Sequence, residues 1–394
     1  MQSVVSRQIG LLGIGLFAVA FAAGRYSVQL TEPGALVTTD EFRQALESRD
    51  WVFRARTIGG FVEGLAPENL APALEAIEDR KRWLSQDELR LFMSAWASFD
   101  PSGAFERTLG WPDHTRSKGA AAAIYGWALR DPAAARSAAM TVSDSYLRAL
   151  LFDRIVAAWA HGPDRPGVTR YIADLPPNPS RDRLTSILIR EILADGPEAV
   201  MEWAEALPKE SGLDFKTTAF EKATGILAQS DPLAAREFVE RNLDAPWAGK
   251  GAGALARRWV NLDPLAAFAW VRKLPAADAR DRAIRLAFNQ WQKNNPLAAE
   301  SWLFAAEGEE LDPARLLVVG RLAATSPQKA LDVSGQIVDP VTRKEIQVSL
   351  LRDWIRVEPD AARRWLATSP HAYEVEAELG SGDPERALFT DAPP

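Results

Sequence analysis

The chain contains no cysteine. That excludes disulfides, thiol nucleophiles, Cys-ligated zinc and a lipid attached through cysteine. Histidine is nearly absent too: His114, His161 and His371 are the three, far apart in sequence and with no HExxH spacing. A histidine-based metal centre is therefore not expected. No GxSxG elbow occurs, which removes the sequence case for a serine hydrolase. Val, Ile and Thr nowhere alternate over a useful length, so strands are not expected either. Excess positive charge is also missing. The formal net charge is -7, unsuited to a general nucleic-acid binder, although a local basic patch is compatible with it.

What is present in quantity is apolar surface, proline and tryptophan. Hydrophobic residues make up 47% of the chain and charged residues 25%, the balance of a folded body. Ten of the 26 prolines fall into a series: Pro101, Pro132, Pro166, Pro197, Pro232, Pro264, Pro296, Pro327 and Pro359 lie 31 to 35 residues apart, and Pro67 extends it one unit earlier. In most units a capping residue precedes the proline: Asp100, Asp131, Asp231, Asp263, Asn295 and Ser326. Such a side chain accepts a bond from the free amides of a first helical turn, and proline at the first position gives up an amide that has no partner anyway. Each pair therefore predicts a helix start.

The stretch around Trp259-Val-Asn-Leu-Asp263-Pro264 shows the whole unit. Three residues after the proline stands a small side chain (Ala104, Ala135, Ala235, Ala267, Ala299, Ala330, Ala362; Val200 is the exception). Six after it stands a ring: Trp203, Phe238, Trp270, Trp302 or Trp365. A second proline (Pro112, Pro208, Pro275, Pro370) then stops this short helix. A second helix follows and ends on a bulky residue five before the next proline: Trp96, Trp127, Trp259, Trp291 or Trp354, replaced elsewhere by Ile192, Leu227 and Leu322. A hairpin of this kind cannot bury its apolar face alone, so neighbours must stack. The unit around His161-Gly-Pro163-Asp-Arg-Pro166 carries an extra residue and a second proline and predicts a distorted turn. The expected fold is all-α: an α-solenoid of about nine helical hairpins with a period of about 32 residues, an open right-handed superhelix rather than a closed toroid.

Pro264-x-x-Ala267-x-x-Trp270 resembles the junction between tetratricopeptide repeats, and the chain is similar to a divergent tetratricopeptide-like or HEAT-like α-solenoid. The likeness covers the repeating body but only this junction. That family's Gly and Tyr in the first helix, and its Ala and Phe in the second, are not found at their spacings. What the resemblance implies is binding of a protein or peptide on a curved surface.

At the N-terminus, residues 9–23 are apolar or glycine throughout. As a helix they span about 22 Å, short of a hydrocarbon core of roughly 30 Å. Residues 1–24 thus read as a signal peptide, with Ala20-Phe21-Ala22 an acceptable cleavage site, or as an N-terminal membrane anchor through residues 6–24 if uncleaved. Residues 25–37 read as a linker, 38–375 as the helical-repeat body, and 376–394 as an acidic, disordered tail. Thr38, with Glu41 three residues on, predicts the first helix by a capping box. The expected location is the periplasm, with tethering to the inner membrane if the segment is retained.

Nine of the 14 tryptophans occupy the two repeating positions and are expected in the core. Trp51, Trp83, Trp111 and Trp247 are out of register and are the expected partner contacts, while Trp159 sits in the distorted unit. Gly249-Lys250-Gly251-Ala-Gly253 contains the GxGxxA string of dinucleotide loops but lacks the strand those loops need. Glu307, Glu309, Glu310 and Asp312 read as a solvated acidic loop rather than a cation site. No cofactor and no metal are expected. The expected function is a non-catalytic protein–protein interaction or scaffolding module of a bacterial-type cell envelope. The alternative is a carbohydrate-active helical toroid using acidic residues and exposed tryptophan.

Overall fold

The computed structural model describes residues 37–208 and 213–370, with Ala372, Val375 and Leu379 beyond them. The expected leader or anchor at 1–24, nearly all of the expected linker and most of the expected tail lie outside the described residues. Among the described residues the protein is all-α, with 21 α-helices, and no helix is long and apolar enough to cross a membrane.

The helices alternate in role. The odd ones are α1 (Thr39–Glu47), α3 (Pro67–Arg80), α5 (Pro101–Leu109), α7 (Pro132–Met140), α9 (Arg165–Ala173), α11 (Pro197–Ala206), α13 (Pro232–Glu240), α15 (Pro264–Val271), α17 (Pro296–Ala305), α19 (Pro327–Ser334) and α21 (Pro359–Thr368). The even ones are α2 (Trp51–Glu63), α4 (Gln86–Trp96), α6 (Asp113–Ala128), α8 (Ser145–His161), α10 (Pro179–Leu193), α12 (Leu213–Ser230), α14 (Gly251–Trp259), α16 (Ala277–Asn294), α18 (Asp312–Leu322) and α20 (Pro340–Val357). The pairs from α1–α2 to α19–α20 make ten hairpins, one more than the proline series predicts, because the first starts on Thr38 rather than on proline.

The caps form as the sequence predicts in most units. The amide of Gly103 donates to Asp100 (2.9 Å), that of Ala134 to Asp131 (2.9 Å), of Ala234 to Asp231 (2.9 Å), of Ala266 to Asp263 (3.0 Å) and of Ala298 to Asn295 (3.2 Å). Thr38 and Glu41 close the capping box of α1. Ser326 departs from the rule, since its side chain makes no cap bond at α19. In the distorted unit the cap moves one residue upstream: Asp164 accepts from the Gly167 amide (3.0 Å), which leaves Pro166 at the second helical position.

Helices pack on their nearest and next-nearest neighbours along the chain. From α2 to α18 each even helix packs on the next even helix, and the odd helices pack on the even ones. The small residue of the motif is buried in each unit that carries it, Ala104, Ala135, Ala235, Ala267, Ala299, Ala330 and Ala362 alike, and so is Val200. The even helices run parallel. Arg54, early in α2, forms an ion pair with Glu88, early in α4, and Lys118, early in α6, donates to the Leu84 carbonyl just ahead of α4 (3.1 Å).

The core divides into three stretches. One runs from Phe42 to Ala158, a second from Val156 to Val333, and a third gathers Leu331, Leu351, Trp354 and Leu366 with Val375 and Leu379. Burial of Leu379 carries the folded body past residue 375. The first division falls within α8, immediately before the distorted turn.

Candidate partner-binding surface

The two repeating tryptophan positions differ in burial. Trp96, Trp259, Trp291 and Trp354, at the ends of even helices, are buried, and Trp127 is half-buried. Trp203, Trp270, Trp302 and Trp365, on the odd helices, are all half-buried, so their expected place wholly inside the core is corrected. Three of them lend the indole N–H to a polar partner on the preceding odd helix. Trp270 donates to Glu240 (2.8 Å), Trp203 to Thr169 (3.0 Å) and Trp365 to Asp332 (2.9 Å), each time one odd helix back. Trp159 belongs to the buried register displaced by the inserted residue. It donates to its own cap Asp164 (3.2 Å) as Trp96 donates to Asp100 (3.3 Å) and Trp354 to Glu358 (3.2 Å).

The four out-of-register tryptophans separate sharply. Trp51 is 72% exposed and Trp83 is 78% exposed. Both lie where an odd helix hands over to an even one, Trp51 opening α2 and Trp83 just ahead of α4. The Arg54–Glu88 pair joins the starts of those two helices, so the two rings share one edge of the molecule. Burial works to raise the Glu88 carboxyl, but bonds from Arg54 and Ser85 outweigh it and hold the group below the usual range. The charged form of Glu88 is thereby favoured, and the pair ties the starts of α2 and α4 together.

Trp111 is corrected: it is 5% exposed. Its indole donates to Glu78 (2.9 Å) and its ring lies over Gly119 of α6, where a Cβ would come within 2.4 Å of the ring. Glu78 also takes two bonds from Arg107, the larger influence in holding its carboxyl below the ordinary range. Trp247 is half-buried, edge-on to Phe220 at 5.0 Å between centroids, with Lys216 Nζ 4.5 Å from its ring centre.

Two further residues of the same kind of connection escaped the tryptophan reading. Tyr146, at the start of α8, is 78% exposed, and Met140, at the end of α7, is 63% exposed. The signal was there: Trp51 and Trp83 are one repeat apart, and Tyr146 lies close to two repeats further on.

Glu310 is neutralised by Arg272. Asp312 is held by Arg315 (2.7 Å) and by the amide of Val338 (3.0 Å), so half of the acidic loop is structural. No group of three or more metal-ligating side chains comes together among the described residues. The GxGxxA string is a packing device. Gly251 admits the Phe220 ring, 2.4 Å from where a Cβ would stand, and Gly253 admits Leu286 at 2.8 Å. Asp153 is pushed up by burial against the opposing pull of Arg183, and burial likewise raises Tyr125 and Tyr171. His161 Nδ1 lies 3.3 Å from Glu191 and 3.0 Å from the Ala157 carbonyl, at the end of α8. These groups are strung along successive helices. A shallow pocket of about 330 Å³ beside α14 is lined by Leu243, Ala248, Leu274 and Pro275 among others, with Asp244 its single ionisable residue.

Comparison with known proteins adds little. No family model matches, and no curated protein matches. Among solved structures the chain is similar to an engineered protein, titled simply as the crystal structure of an engineered protein. The two share 14% identity over 88% of this chain and 99% of that one, with a TM-score of 0.21. A score that low carries no argument about shape.

Proposed function

We propose that the chain is a non-catalytic interaction or scaffolding module of a bacterial-type cell envelope, built as an open, tetratricopeptide-like or HEAT-like α-solenoid that docks a protein partner. One observation supports this above the rest: Trp51 and Trp83 stand solvent-exposed at the starts of two neighbouring even helices that an ion pair ties together. Large rings anchor interfaces at little entropic cost, and a well-formed soluble surface does not otherwise display them in a row. Tyr146 and Met140 extend the apolar character into later hairpins. Residues 1–24 act as leader or anchor and place the body in the periplasm, at the inner membrane if they are retained.

The test is recovery of a partner from the envelope fraction by the tagged full chain. A stoichiometric partner is expected, and it should fall about tenfold or more when Trp51→Ala, Trp83→Ala and Tyr146→Ala are combined, as for interface hot spots. Circular dichroism should stay unchanged. A chain that comes out alone, or a triple variant that keeps its partner, overturns the reading.

A further inference from the structure

The net charge of -7 conceals a division between layers. The even helices α2 to α20 carry 24 Lys or Arg against 14 Asp or Glu, whereas the odd helices α1 to α21 carry 10 against 16. Most cations of the even layer are already engaged. Arg54, Arg181, Arg183, Lys222, Arg315 and Arg321 pair with carboxylates.

Arg56, Arg190 and Arg352 stand without such a pair singly on their helices, whereas the stretch around α14 and α16 gathers several cations of this kind. Arg257 and Arg258 on α14, with Arg282 and Arg285 on α16, are exposed and have neither an ion pair nor a side-chain hydrogen bond among the described residues. α14 holds no acidic residue at all. The packing brings these cations together. Gly253 of α14 lies against α16, where a Cβ would stand 2.8 Å from Leu286 and 3.8 Å from the stem of Arg282. Arg257 is one turn on from Gly253 and shares its face, and Arg285 is three residues on from Arg282. On the other flank Ala254 meets Gly225 of α12, and Arg258 follows Ala254 by one turn. Gly225, Gly253 and Ala254 thus make a floor of small residues bordered by four guanidinium groups. Two half-buried carboxylates, Glu221 one turn before Gly225 and Asp281 beside Arg282, leave the cluster with an excess of positive charge.

We propose that this surface of α12, α14 and α16 binds an acidic peptide segment of the partner, carboxylates seated on the arginines. The proposal rests on the partner-binding reading and gives it a second contact of stated chemistry. Guanidinium forks match carboxylates in a bidentate manner and lose little hydration in doing so. Three neighbouring helices span about 20 Å, and charge beyond roughly 8 Å is screened at physiological salt. A patch of that size suits a short acidic segment. A long polyanion would run on into the carboxylates of the odd layer. Among the described residues none of these three helices presents an exposed aromatic ring on which bases could stack.

The experiment is fluorescence anisotropy of a labelled octa-glutamate peptide titrated with the full chain, beside a labelled twelve-nucleotide single-stranded DNA. The peptide should bind, and binding should weaken with added salt. Arg257→Glu with Arg258→Glu, and Arg282→Glu with Arg285→Glu, should each weaken it about tenfold or more, with unchanged circular dichroism. Arg170→Glu, an exposed arginine of the odd helix α9, should leave it unaltered. Peptide binding should also survive Trp51→Ala with Trp83→Ala. A chain that binds peptide yet recovers no partner overturns the partner reading and leaves this surface standing. Absence of peptide binding, an equal loss in the Arg170 variant, or tighter binding of the DNA overturns the proposal.

Discussion

The even and odd helices solve the same problem, joining one hairpin to the next, by different means. Even helices approach until backbone nearly meets backbone. A Cβ on Gly126 of α6 would stand 2.6 Å from the Ser94 Cα of α4, and Gly253 of α14 makes room for the Leu286 side chain of α16, 2.8 Å from where a Cβ would stand. Odd helices are bridged mainly by side chains. Trp270 reaches Glu240, Trp203 reaches Thr169, Trp365 reaches Asp332, and Arg107 takes Glu78 by two bonds of 2.7 Å. One residue type therefore does two jobs. At the end of an even helix tryptophan mainly fills volume, Trp96 and Trp354 also bonding their own caps; on the odd helices Trp203, Trp270 and Trp365 strap two units together with the N–H. The first kind of joint depends on shape and the second on polarity, and they should fail differently.

The largest contrast is expected from truncating one ring of each kind where two successive hairpins meet. Trp259 and Trp270 touch, with centroids 6.0 Å apart, yet Trp259 is buried and Trp270 is half in solvent. Trp259→Ala should cost about 4 kcal/mol, as for a fully buried ring. Trp270→Ala should cost about 2 kcal/mol, and Trp270→Phe, which keeps most of the ring and removes the N–H, about 1 kcal/mol. Urea titrations followed by far-ultraviolet circular dichroism would read all three; equal losses for Trp259 and Trp270 would end the distinction. Gly126→Val tests the even joint by the opposite insult. The added carbons meet backbone that cannot swing aside, so destabilisation of about 3 kcal/mol is expected despite the better helix propensity of valine over glycine. A neutral result would mean that the even helices have room to separate.

This difference explains what the amino-acid order could and could not disclose. Cap, proline, small residue and stop are local signals, readable because each depends on neighbours within one turn. They place nearly every odd helix, and the buried alanine of each unit, without knowledge of the fold. Trp111 misled because its burial is set by Gly119, on the next helix, and by Glu78, a full unit earlier. Trp159 hid its register behind one inserted residue. Met140 and Tyr146 drew no notice because the repeat imposes no residue type at the connections, where exposure depends on how neighbouring loops lie. The division of charge between layers needs the helices to be assigned to layers before it can be seen at all.

Acid should loosen the odd layer selectively at the α3–α5 joint. The Glu78 carboxyl is held below its ordinary value of 4.5, chiefly by Arg107, with Trp111 assisting. A carboxyl whose folded pKa is depressed contributes stability that is fully present above the unfolded value. That contribution is lost as the pH falls through the folded one. Glu78→Gln should therefore lower stability modestly at neutral pH and flatten its decline below about pH 4.5. Thermal unfolding measured at several pH values would show this, and a variant whose curve runs parallel to the parent's would remove the clasp from the joint.

The smallest effect is expected where exposure is greatest, and its smallness is informative. Trp51 and Trp83 belong to neither kind of joint, since no hydrogen bond and no ring contact engages either indole among the described residues, and both stand in solvent. Trp51→Ala and Trp83→Ala should each leave stability within about 0.5 kcal/mol of the parent. Denaturation midpoints would check this directly. A loss comparable to that of Trp270→Ala would make these rings straps like those of the odd layer and remove the observation on which the docking edge rests. A null result means that two large apolar side chains stay exposed without serving the fold. Such surface carries a standing risk of aggregation, and a partner that covers it supplies the physical reason for keeping it.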